Sequence, residues 1–206
     1  MKKFRKVEAF TGLEAAIVLI AFVVVAAVFS YVVLGAGFFT TQKAQQVVYS
    51  GVQQASSNII VIGEVYGDAT GTLSPPMIHA VAFTIGLAAG GSSVDMNKTV
   101  FTYQNRTVLR TIDLPGFGNT TIGPRCTVGN QPGDYQWCIL SSKNDDGDGA
   151  LERNEQFTIQ VNMSVASNGG LPPSEDFTLT IRPDIGAALP IHKSAPGGLT
   201  PMNVLY

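Results

Sequence analysis

Between Ala15 and Phe39 the chain runs for 25 positions without a charged residue, AAIVLIAFVVVAAVFSYVVLGAGFF. As a helix this run spans about 37 Å, more than the roughly 30 Å of a bilayer's hydrocarbon core. It is apolar on every face, so lipid or other copies of itself must surround it. That one segment explains much of the overall bias, 45% hydrophobic against 14% charged residues. The remaining chain, of 206 residues in all, suits one further domain. A net charge of −2 offers no basic stripe for nucleic acid.

Lys2, Lys3, Arg5 and Lys6 precede the apolar run. Such a basic flank favours a cytoplasmic N-terminus. Three readings follow. A cleaved secretory signal fits poorly, because the run exceeds the usual apolar length and lacks a clear small-x-small cleavage site before Gly35. An uncleaved signal anchor fits the hydropathy alone. The third reading places a cut before the run, between Ala9 and Phe10. The basic leader is then lost, the helix stays, and Glu14 becomes the fifth residue of the mature chain. An unpaired carboxylate in apolar surroundings costs several kcal/mol. The new α-amino group, with a pKa of about 8, would be its partner. The first turns of a helix also favour negative charge.

A short basic leader, a small residue before the cut, Phe10, Glu14 and an apolar helix resemble the type IV pilin superfamily. Within it, FTGLEAAIVLIAFVVVAAVFSYVVLGAGFFTTQKAQQ is similar to the N-terminus of archaeal flagellins, or archaellins. The likeness is specific over residues 9–67 and loose beyond. Ala9 stands where Gly is commoner, and Glu14 stands where many archaellins carry Gly, a pilin-like feature. The resemblance implies a leader at 1–9, removed by a prepilin-type peptidase, and a polymerisation helix at 10–58. An extracellular β domain would fill 59–206. Ala9 and Phe10 would serve processing, Gly12 and Glu14 recognition or packing. The precursor would be membrane-inserted and then join a helical homopolymer, the extracellular filament of swimming motility. Its further partners would be a membrane assembly platform and a motor ATPase. The rivals are an adhesive type IV-like pilus subunit and a signal-anchored surface β-domain binding protein.

The expected fold class is α+β, a long N-terminal α-helix followed by an all-β sandwich- or barrel-like domain. Val48, Val52, Ala55 and Ile59 recur on one helical face, so the helix should run from Phe10 to about Ser57, about 70 Å. Small residues Ala15, Ala16, Ala21, Ala26, Ala27, Gly35 and Gly37 would let helices approach closely, or let anchor and body flex. From Ile59 the period becomes two. Strands are expected at 59–66, 77–87, 99–112, 135–141, 156–166 and 176–182. The clearest alternation sets Phe157, Ile159, Val161, Met163 and Val165 against Thr158, Gln160, Asn162 and Ser164. Turn clusters at Gly90-Gly91, Pro115-Gly116 and Gly169-Gly170 separate the strands.

NDDGDGALERNE, Asn144 to Glu155, follows the twelve-residue calcium-loop template. Asn144, Asp146 and Asp148 occupy positions 1, 3 and 5, with Gly149 as the turn glycine. Ala150 would offer its carbonyl, Glu152 would act through water, and Glu155 would be the bidentate ligand. Oxygen-only donors suit Ca²⁺ in a structural role; an acidic Asp-Gly turn without metal is the alternative. Asn-x-Ser/Thr sequons stand at Asn97, Asn105, Asn119 and Asn162, glycan acceptors in an exported chain. Cys126 and Cys138 flank a turn-rich loop and could form a disulfide or remain two thiols. His79 and His192 lack a third ligand nearby in sequence. No HExxH, GxSxG or P-loop occurs, which agrees with a subunit that is not an enzyme.

Overall fold

The computed structural model describes residues 5–70, 76–115, 124–126, 132–163 and 170–206, with side chains from Gly12 onward. Packing divides the chain into two units, Met1–Ser50 and Gly51–Tyr206.

Helix α1 covers Arg5–Ser56, 52 residues or about 78 Å. No proline occurs before Pro75, so nothing in this stretch removes a helical N–H. The helix begins upstream of Phe10 because Arg5-Lys6-Val7-Glu8-Ala9 contains no breaker. Where the apolar run ends, Thr40 and Thr41 donate their hydroxyls to the carbonyls of Ala36 and Gly37, at 2.8 and 2.9 Å. Those hydroxyls therefore need no water. The helix stops at Ser57 and Asn58. Ser57 N–H still reaches the Gln53 carbonyl at 3.0 Å, and the Asn58 amide donates to the Ala55 carbonyl at 3.3 Å. Four β-branched residues then favour extended backbone.

Among the described residues the body has eleven strands: β1 (Ile59–Asp68), β2 (Ala80–Leu87), β3 (Val94–Asp95), β4 (Val100–Gln104), β5 (Leu109–Ile112), β6 (Trp137–Lys143), β7 (Ala150–Leu151), β8 (Gln156–Asn162), β9 (Asp176–Arg182), β10 (Leu189–Ser194) and β11 (Met202–Leu205). One sheet has the order β11-β1-β2-β8-β6 and a second β10-β9-β4-β5. Strands β3 and β7 form a small separate pair. All the strand pairs within these sheets are antiparallel.

Alternation builds the core. In β8, Phe157, Ile159 and Val161 are buried while Gln156, Thr158, Gln160 and Asn162 are half-buried. In β9, Phe177, Leu179 and Ile181 do the same for the other sheet. Phe101 of β4 meets Trp137 of β6 across the interior, ring centroids 4.4 Å apart. Both seams between the sheets carry bridges. At one, Ser194 N–H donates to the Tyr206 carbonyl at 2.7 Å. At the other, Asp113 pairs in parallel with Gln136, and Trp137 N–H donates to the Asp113 carbonyl. The sandwich is thus partly closed into a barrel, which leaves fewer free edges.

The single strand expected over 99–112 is two strands. Asn105 makes the break: its Oδ1 accepts from Thr107 N–H at 3.1 Å and Val108 N–H at 2.7 Å, a local turn that competes with the ladder. The strand expected to reach 166 leaves its ladder after Asn162, and residues 164–166 lie outside the described ones. Strands β3, β7, β10 and β11 add to the expected set. Pro190 hides β10 from a sequence reading, yet an edge strand tolerates it.

Candidate functional site

The first functional element is α1 itself. Every described residue from Gly12 to Ala55 is exposed, including Leu13, Ile17, Phe22 and Phe29. Among the described residues it is the helix long and apolar enough to cross a membrane, with a mean hydropathy of 3.0 in its apolar window. From Gly12 onward Glu14 is the one carboxylate of α1, and it is exposed. Gly12, Gly35 and Gly37 have open space where a side chain would begin, so their faces are free for close approach. Ala9 and Phe10 lie in helical backbone.

The acidic loop 144–155 joins β6 to β8, whose ends pair at Lys143 and Gln156. It is a hairpin connection, folded tightly by left-handed residues Asn144 (φ 59), Gly147 (φ 93), Gly149 (φ 77) and Asn154 (φ 68). Leu151 is fully buried and anchors the loop, helped by pairing of β7 with β3. Glu155 is 6% exposed. Its Oε1 accepts from Asp146 N–H at 3.2 Å and its Oε2 from Glu152 N–H at 2.9 Å. The Asp148 carboxylate accepts from Ala150 N–H at 2.8 Å, and the Asn144 amide donates to the Asn154 carbonyl at 3.0 Å.

Carboxylate oxygens of Asp145, Asp146 and Glu155 come within 4.8 Å of one another. Template positions Asp146 and Glu155 therefore converge, while Asp148 and Glu152 stand outside that group. Asp145 joins instead, a residue the template leaves without a role. It forms an ion pair with Arg125, which sits across β6. Burial works to raise the Asp145 carboxyl pKa, but bonds from Ser142, Gly147 and Arg125 outweigh it and hold the value below the usual range. The Glu152 carboxyl is pushed up, by burial first and then by the charges of Asp148, Asp146 and Glu155. The donor set is oxygen-only and electron-rich, as a hard cation requires.

Cys126 and Cys138 are joined by a disulfide, with Cα atoms 5.4 Å apart. It ties the segment around Arg125 to β6, where Cys126 N–H donates to the Ile139 carbonyl at 2.9 Å. The sequon asparagines differ in setting. Asn97 lies in a short helical turn capped by Asp95. Asn105 holds the β4–β5 turn. Asn162 donates its Nδ2 to the Pro132 carbonyl at 3.0 Å. Asn119 lies outside the described residues. Trp137 is a core residue, fully buried. His192 makes a 3.0 Å contact with the Thr178 hydroxyl.

The archaeal-type flagellin family model matches residues 9–193. "Probable flagellin 2" of Archaeoglobus fulgidus is 44% identical over 209 residues, covering 97% of this chain and 95% of the relative. "Probable flagellin 1" of the same organism is 40% identical, covering 100% and 98%. Among solved structures, the archaeal flagellum of Methanospirillum hungatei strain JF1 aligns with a TM-score of 0.67 and 30% identity, over 95% of this chain and 99% of that one. These matches favour a flagellin over a pilus adhesin or a surface binding protein. The chain belongs to the archaeal-type flagellin family, as an extracellular structural subunit of the archaeal flagellum filament and not an enzyme.

Proposed function

We propose that the subunit is made as a precursor with a leader at 1–9, a polymerisation helix at 10–58 and an extracellular domain at 59–206. A prepilin-type peptidase cuts between Ala9 and Phe10. The observation that carries this reading is the placement of Glu14 as the one charged residue between Phe10 and Phe39 of α1, whose side chains are exposed from Gly12 onward. The cut supplies the α-amino group that pairs with Glu14, in its own helix start or on a neighbouring copy. Until then the helix rests in the membrane; afterwards an assembly platform transfers it into the filament, which a motor ATPase drives. The test is mass spectrometry of sheared filaments. A terminal peptide beginning at Phe10 is expected. A terminal peptide that retains Lys2 to Lys6 would overturn the processing step.

We propose further that the loop 144–155 takes a structural Ca²⁺. Asp145, Asp146 and Glu155 provide converging oxygens, with Asn144, Asp148, the Ala150 carbonyl and Glu152 in reserve around them. A bound cation would offset the carboxylate repulsion that, after burial, raises Glu152, and would stiffen the loop by mass action. Calcium should raise the thermal midpoint of the purified subunit, and a chelator should reverse the rise. Equal midpoints with and without calcium would leave the loop as an acidic turn. Asn97, Asn105, Asn119 and Asn162 are the proposed glycan acceptors, each to be read as a mass increment on its tryptic peptide.

A further inference from the structure

One end of the body opens into a cleft of about 330 Å³, near the lower limit of about 300 Å³ for small-ligand sites. Tyr103, Asn105, Tyr135, Glu175, Met77 and Met163 line it, where β4 and β8 end and β6 and β9 begin. This is the end away from the helix exit. Ile59, close to Ser57, pairs with Leu87, whereas Asp68 pairs with Ala80, just past Met77. Tyr103 is a core residue whose hydroxyl bonds to the Asn105 side chain. Tyr135 has a left-handed backbone, φ 51, which is uncommon for a bulky residue. Backbone of that kind clusters at ligand clamps. The Arg110 guanidinium stands 6.0 Å from the centre of the Tyr135 ring and steadies it.

Asn105 also opens the sequon Asn105-Arg106-Thr107. Its Oδ1 is committed to the turn, accepting from Thr107 N–H at 3.1 Å, the Thr107 hydroxyl at 3.3 Å and Val108 N–H at 2.7 Å. The amide nitrogen is the group left to meet Tyr103, so the atom that would carry a glycan faces the cleft. The bond forms when an activated sugar phosphate, supplied by a transferase, gives its anomeric carbon to Nδ2. The phosphate leaves with the electron pair of its C–O bond, and one amide proton is released. The second N–H stays available to Tyr103. A sugar ring has an apolar face and a rim of hydroxyls. The cleft offers both kinds of partner: the Tyr135 ring and Met77 for the face, the Glu175 carboxylate and the Tyr103 hydroxyl for the rim. A sugar tethered at the rim is present at an effective concentration in the mM range or above, so a weak seat is filled. A free saccharide has no such advantage. We infer that the glycan on Asn105 folds back and seats its first sugar in this cleft, capping the open end of the body. This inference rests on the reading of Asn105 as a glycan acceptor and adds where the sugar goes.

The test uses subunits released by detergent from native filaments. Thr107→Ala removes the acceptor signal but leaves Asn105 and its bond to Val108; Thr107→Ser keeps the signal. The tryptic peptide holding Asn105 should carry a mass increment in the parent and in Thr107→Ser, and none in Thr107→Ala. An unmodified parent peptide would remove the acceptor reading itself, and the seat with it. Where the increment is present, peroxide should oxidise Met77 at least about threefold more slowly in the parent and Thr107→Ser than in Thr107→Ala. Met202, 60% exposed and outside the cleft, calibrates the peroxide, and slow oxidation of the buried Met96 reports that the body stays folded. Equal Met77 rates would overturn the seat while leaving Asn105 an acceptor. Tyr135→Ala keeps the sequon but removes the aromatic wall, and should bring the ratio of Met77 rates without and with the glycan close to one. A glycan that only shields the surface from outside would keep the threefold ratio in Tyr135→Ala, which counts against the proposal. Parent Met77 that is protected only after free hexose is added would assign the cleft to a foreign sugar, and equally overturns it.

Discussion

Gly186 shows how one residue sets the exit of the helix. Its φ is +112, and a Cβ there would lie 1.7 Å from the Ser57 carbonyl oxygen. Gly186→Ala combines a left-handed strain with a backbone clash, so it should destabilise the body by about 3 kcal/mol, seen as a lower urea midpoint. Tyr103 gives a pH prediction. Burial first, then the charges of Glu175 and Tyr135, push its hydroxyl pKa well up, against a lowering bond with Asn105. The unfolded tyrosine loses its proton at about pH 10, while the folded one keeps it. The native state then binds more protons, so stability falls as pH rises past about 10. Tyr103→Phe should flatten that fall relative to the parent. Glu155 tests the loop without metal. Its removal in Glu155→Ala orphans two backbone donors, at a cost of about 2–4 kcal/mol in chelator-treated protein.

Among elements, the legible ones are those whose burial follows a period. Helix α1 was readable from its charge-free run, and β8 from Phe157, Ile159 and Val161. Strands β10 and β11 were not, because LPIHKS and MNVL are short and one carries a proline. The split at Asn105 was hidden because its cause is a side chain bonding to its own turn. The loop was half legible. Positions 3 and 12 of the template converge, but Asp145 entered through an ion pair with Arg125, 20 residues away in sequence, that no local spacing reveals. The disulfide serves the same element. Cys126 and Cys138 are 12 residues apart, and bridging that loop removes unfolded-chain entropy worth about 3 kcal/mol. The double variant Cys126→Ser with Cys138→Ser should lower the urea midpoint accordingly, and it should release the segment holding Arg125. The chelator-free calcium response should weaken with it, because Asp145 loses the partner that fixes its position.

At the scale of the molecule, the chain divides its needs. The body has its own core, from Phe83 and Trp137 to Leu179 and Leu205, and buries it without help. Helix α1 has no such option: its apolar residues are exposed on every face, so its surface must be covered by lipid or by copies of itself. That asymmetry makes assembly, and not folding, the step at risk from a change in the helix. Val25 lies mid-run and is exposed in the lone subunit. A lysine there costs about 2.5–3.5 kcal/mol on insertion into a bilayer and leaves an unpaired charge inside any bundle of these helices. Val25→Lys should therefore remove filaments from the cell surface while leaving a body with the parent's urea midpoint. Normal filaments from Val25→Lys would mean that this turn of the helix faces water in the polymer. The same substitution at Thr158, on the polar outward row of β8, should leave filament yield unchanged, because that row lies outside both α1 and the core.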